Sequence, residues 1–134
     1  MRTVCRRLHR GEDLFQTICA LAQEEHLRAA VVLSAVGCLQ RAAVRDASGI
    51  TVQRIDCPCE IVSLTGTVSI RRTHLHISLS REDLSVVGGH VMPGCLVNTT
   101  CELVLLEQDG WRYGMEQDQQ TGYDEIVFER TENI

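Results

Sequence analysis

Apolar and polar residues alternate through much of this chain. Over residues 60–70, Val62, Leu64, Val68 and Ile70 fall on one side, with Gly66 midway. A period of two is the strand period. Residues 74–80 repeat it, with Leu75, Ile77 and Leu79 on one side and His74 and His76 on the other. A helical period shows once: Leu14, Phe15, Ile18, Leu21 and Ala22 make one stripe. Asp13 is its expected N-cap, and the helix should end near His26. Residues 29–36 form a continuous apolar run, read as a buried strand ending at Gly37. Residues 38–46 read as another strand after a bend or bulge there. Ser48-Gly49 marks a hairpin turn into residues 50–55. Residues 3–9, 95–107 and 123–128 read as further strands, and 81–85 as a polar turn. Residues 111–122 look polar and irregular. One principal helix against seven or more short strands predicts an α+β fold. Its sheet should be mainly antiparallel, closing as a sandwich, within a single domain spanning 1–134.

Composition narrows this picture. Apolar residues make up 44% of the 134 and aromatics only 4%, so aliphatics, Ala and Cys must fill the core. No run approaches the roughly 20 apolar residues of a membrane span. The N-terminus lacks the apolar stretch of a secretory leader. Seven cysteines, an odd number in no disulfide-like spacing, suit a reducing compartment. These features predict a cytoplasmic protein with no membrane role. Cys57-Pro58-Cys59 is the one close thiol pair. It reads as a weak metal or redox signal, or as a strand entry punctuated by proline.

The formal charge is −5, and all 13 basic residues are arginine. Arg2, Arg6, Arg7 and Arg10 crowd the first strand, while the last third is acidic. A duplex binder normally shows a basic footprint. DNA binding by this chain alone is therefore not expected, although an oligomer would gather its Arg-rich first strands.

The chemistry concentrates in three of the five histidines. Residues two apart on a strand share a face, so His74 and His76 stand together. Gly88-Gly89-His90 follows, and a third imidazole on a glycine-hinged turn would complete a three-histidine set. Neutral imidazoles suit zinc, and three ligands leave a position open for water or substrate. Glycines there permit either unusual backbone angles or close approach. The alternative reading is a polar cluster that stitches subunits together. Glu102 is a candidate second-sphere partner, fourth ligand or general base, and equally a plain strand carboxylate. Asn98, Thr99 and Thr100 are further acceptor candidates. Metal occupancy should fall below about pH 6.5, the ordinary histidine value.

The order of motifs resembles one family. Gly-Glu-Asp-Leu at 11–14 opens the helix, and Ala35-Val36-Gly37-Cys38-Leu39 follows the buried strand. Glu60-Ile61-Val62-Ser63-Leu64-Thr65-Gly66 precedes His74-Leu75-His76-Ile77. Then come Gly88-Gly89-His90, Thr99-Thr100-Cys101-Glu102-Leu103 and Thr121-Gly122-Tyr123. Over about residues 3–130 this series is similar to the plant-and-prokaryote-conserved (PPC) domain, in its stand-alone form without an AT-hook. The resemblance implies an α+β fold, a homotrimer, and a zinc site at His74, His76 and His90, one ion per chain. Plant members carry a Gly-Arg-Phe-Glu-Ile-Leu stretch for partner contacts. At residues 57–62 here only Glu60 and Ile61 match it.

Three functions stay open at this level. One is an oligomeric metal-carrying binding or regulatory module. The second is a zinc-dependent enzyme acting on a small molecule, with Glu102 moving protons. The third is the DNA-binding role with which the family is often labelled.

Overall fold

The longest strand organises everything else. The computed structural model describes residues 1–131. In chain order its elements are β1 (Arg2–His9), α1 (Leu14–Glu24), β2 (Ala30–Arg45), β3 (Val52–Ile55), β4 (Cys59–Val68), β5 (Thr73–Ser80), β6 (Val86–Val91), β7 (Leu96–Glu107), β8 (Trp111–Gln117) and β9 (Asp124–Arg130). The sequence suggested two strands over 29–46; the structure has one, of 16 residues. Its register against β7 slips near Gly37, so the bulge is present, but the strand bends rather than ends. A Cβ on Gly37 would lie 2.2 Å from the Thr100 carbonyl oxygen, so only glycine permits that close approach.

Every pairing is antiparallel. Seven strands run in the order β1-β7-β2-β4-β5-β6, with β3 attached to β2. Both edges of β2 carry partners. One edge carries β4 and then β3; the other carries β7 and then the end of β6. Because β6 also pairs with β5, the ring β2-β4-β5-β6 closes on itself. Closure removes free edges. Residues 111–122 are not irregular as expected: β8 occupies most of them and pairs with β9 as a separate hairpin. Their polar side chains hid a strand exposed on one face.

Helix α1 packs its stripe inward. Leu14, Ile18, Leu21 and Ala22 are buried, together with Leu75, Ile77 and Leu79 of β5. Asp13 caps the helix as expected, one carboxylate oxygen accepting from the Gln16 N–H at 2.9 Å. Its other oxygen accepts from the Gly94 N–H at 2.7 Å. This single side chain therefore ties the helix start to the β6–β7 corner.

Candidate metal centre

Local geometry first places the histidines on β5. Leu75, Ile77 and Leu79 are buried, so the alternate residues His74 and His76 turn the other way. Ahead of them the buried Ser69 builds a turn. Its hydroxyl accepts from the backbone N–H of Arg71 and Arg72 at 3.2 and 3.3 Å. That turn sets Arg72 just before β5.

His90 arrives on a strand, not on a turn. Val86-Val87-Gly88-Gly89-His90-Val91 is β6, paired with β5 on one side and with β2 on the other. The glycines serve close approach. A Cβ on Gly88 would sit 2.0 Å from the Ile77 carbonyl oxygen, and one on Gly89 2.7 Å from that of Arg45. Directly paired residues on neighbouring strands share a face. Arg45, His90, His76 and Thr65 therefore form one row across β2, β6, β5 and β4. His74, two residues from His76, completes the cluster.

Each of His74, His76 and His90 offers a ligand nitrogen within 4.8 Å of the others. Ring centroids are 5.1 Å apart for His74–His76 and His74–His90, and 5.6 Å for His76–His90. His76 is exposed, while His74 and His90 are partly buried. His90 Nδ1 is buried and has no hydrogen-bond partner. An unmet buried donor or acceptor costs about 1–3 kcal/mol. Burial, then the Arg45 charge, then the neighbouring histidines push the His90 imidazole down to about 4. His74 is lowered too, by burial first and then by Arg72 and His76, against an opposing Glu125. Both rings are thus held in the neutral form that a metal ion requires. A tight set of neutral nitrogens with one orphaned atom suits a divalent ion such as zinc.

Two clefts flank the cluster. One, of about 640 Å³, runs past His76, His90, Arg45, Ser63 and Thr65. The other, of about 530 Å³, reaches His74 and His90 from the side of the β8–β9 hairpin. Met115, Tyr123, Asp124 and Glu125 of that hairpin line the second cleft. Arg72 Nη1 donates to the Asp124 carbonyl oxygen at 3.2 Å, which fastens the hairpin beside the site. Sequence reasoning missed Arg45, whose place depends on β2 meeting β6. It also missed the hairpin residues, and no local pattern marks them.

The remaining candidates stand elsewhere in the chain. Glu102 is exposed on β7, between Arg7 of β1 and Val36 of β2, and lines neither histidine cleft. Thr99 meets Cys38, Oγ1 to Sγ, at 3.1 Å. Asn98 lines a different cleft of about 880 Å³ with Cys38, Cys57 and Cys59. Thr100 pairs with His9. In that third cleft the Cys59 thiol, hydrogen-bonded to the Cys57 carbonyl at 3.4 Å, is pushed up to about 11 by burial and by Cys57.

Comparison with known proteins adds a family and several folds. The family model of the Plants and Prokaryotes Conserved (PCC) domain matches residues 1–109. A bifunctional protein GlmU from a Synechococcus strain is 38% identical over 120 residues, covering 90% of this chain but only 19% of that protein. The chain thus spans about a fifth of the length of that curated relative. A hypothetical protein of known structure from Salmonella cholerae-suis superposes with a TM-score of 0.92 at 33% identity, covering 96% of this chain and 94% of the other. A metal-containing protein from Archaeoglobus fulgidus has a TM-score of 0.75 at 28% identity, covering 98% and 94%.

Proposed function

This chain belongs to the Plants and Prokaryotes Conserved domain family, and from that premise we propose that it is an oligomeric metal-carrying module. His74, His76 and His90 hold one zinc ion per chain, with a coordination position left for a small-molecule ligand. The observation that carries this reading is the convergence of three ligand nitrogens within 4.8 Å of one another. The orphaned His90 Nδ1 supports it. So does the metal content stated for the Archaeoglobus relative. The GlmU relative, in which a similar segment is 19% of a longer protein, supports reading the domain as a module.

The proposed assembly is a homotrimer. Leu33 and Val36 on β2 are each 58% exposed, and Val62 on β4 is 59% exposed. Apolar side chains on adjacent strands are what a subunit contact covers. Glu102, in the same region of the sheet, is proposed as a proton carrier only if the assembly turns over a substrate. No helix among the described residues is long and apolar enough to cross a membrane.

The test is metal analysis by plasma emission on protein purified without a histidine tag, loaded with zinc and desalted. One equivalent per chain is expected. An equal metal content in wild type and in the triple variant His74→Ala, His76→Ala, His90→Ala would leave the histidines as a polar cluster only. Sedimentation at micromolar concentration checks the assembly, and a 15.0 kDa species there would remove the trimer.

A further inference from the structure

The surroundings of the histidines specify a charge for what binds there. Arg45 stands beside His90 in the cross-strand row, and Arg72 precedes His74 at the start of β5. Both arginines line the same cleft of about 530 Å³ as His74 and His90. Among the described residues, ion pairs engage Arg2, Arg6, Arg54 and Arg112, but neither Arg45 nor Arg72. Arg72 spends one N–H on a backbone carbonyl, and no carboxylate is paired directly with its guanidinium.

The acidic groups nearby do not cancel them once a metal is bound. Asp124 and Glu125 line this cleft and offset two positive charges. Asp46, on the neighbouring cleft and kept ionised by hydrogen bonds from Ser48 and Gln53, offsets at most one more. A divalent ion on three neutral imidazoles then leaves a positive surplus around the open coordination position. Guanidinium forks match the oxygens of carboxylates and phosphates, and such bonds are stronger than neutral ones. The far wall is apolar, with Phe15, Met92, Pro93 and Met115. A cleft of this size is in the range that encloses a small organic molecule.

We infer that the site takes a small organic oxyanion, a carboxylate or phosphate monoester. One oxygen fills the open metal position, and Arg45 and Arg72 hold the others. The organic body lies along Met92, Pro93 and Met115. This inference rests on the metal reading, and its test separates the two.

Cobalt(II) replaces zinc in the 134-residue chain, and its visible absorption band reports the metal's ligands. Inorganic phosphate and acetate are then titrated at constant ionic strength. Saturable spectral change by at least one of them is expected in wild type, with affinity at least tenfold weaker in Arg45→Gln/Arg72→Gln. The anion-free cobalt spectrum should be the same in both. Arg54→Gln, outside both histidine clefts, should bind like wild type. If the double variant does not hold cobalt, Arg72→Gln alone gives the same reading. Wild-type cobalt protein that ignores both anions, or variants that bind them as tightly, would overturn the oxyanion reading and leave the metal reading standing. A wild type that takes up no cobalt would end both.

Discussion

Two regions of the same sheet treat their polar residues in opposite ways. On the ring side, Arg45, His90 and His76 are brought into one row by β2, β6 and β5, with His74 beside them. On the β1–β7 side, an equally polar series never converges on a site. There Arg2 pairs with Glu25 and Glu107, and Arg6 with Glu24. Glu102 stands exposed opposite Arg7. The difference is closure. Where the sheet curls shut, β6 lies against both β5 and β2, so residues distant in sequence become cross-strand neighbours on the face turned away from the core; where it lies open, they turn to water and to α1. A charged residue on a strand is therefore informative only together with the curvature of its sheet.

Removing the ring's imidazoles should have the largest effect. His74→Ala or His76→Ala should abolish tight zinc binding, and the triple alanine variant should retain none on plasma emission. His26→Ala should leave zinc binding unchanged. His26, just past the end of α1, lies outside the cluster, in the left-handed region at φ 51°.

Closure itself can be broken next. Gly88→Val would drive a side chain into the Ile77 carbonyl, where even a Cβ falls at 2.0 Å. Overpacking of this kind costs roughly 1–3 kcal/mol or more. Thermal unfolding should show a lowered Tm, and metal affinity should fall with it. A Gly88→Val protein with wild-type stability and zinc affinity would sever the link between closure and site.

Acid provides a smaller perturbation of the same ring. In the metal-free fold His90 is held down to about 4, whereas in the unfolded chain it takes its proton near the ordinary value of 6.5. The unfolded state thus binds more protons between those values, so stability is complete above 6.5 and declines as pH falls toward 4. His74 contributes in the same direction. Metal loss at His90 should likewise begin well below the pH 6.5 expected from sequence alone. His90→Asn should flatten the dependence of Tm on pH over that window. An unchanged slope would remove His90 as its source.

The open side should respond least. Glu102→Gln should leave zinc content unaltered and stability within about 0.5 kcal/mol, the usual range for an exposed position. A tenfold loss of zinc affinity in that variant would place Glu102 beside the metal after all. Duplex DNA titrated at near-physiological salt should show no sequence-dependent binding tighter than roughly micromolar. The net charge is −5, and arginines of β1 are already paired with carboxylates.

How much was legible in advance follows from the range of each interaction. The stripe Leu14, Ile18, Leu21 and Ala22, the Asp13 cap and the strand carrying His74 and His76 were all readable, because each depends on neighbours within a few residues. The three histidines that cluster, His74, His76 and His90, were readable as well. The route by which His90 reaches them was not, since Gly88-Gly89 suits a hinge and a tightly paired strand alike. Only the Ile77 and Arg45 carbonyls pressed against them decide for the strand. Strand β8 was hidden by its polar surface.

The sequence by itself determined helix α1 with its apolar stripe, the strand β5 with its apolar face, and that two imidazoles share the other side of β5. Tertiary structure alone decided that β2 bends through Gly37 and meets β6, and that the β8–β9 hairpin flanks the site. It alone set Arg45 and Arg72 beside the histidines and left Glu102 on the open side. Periodicity encodes the direction of a side chain relative to its own strand. Which strands then face one another depends on register and curvature, set by contacts between residues far apart in the chain.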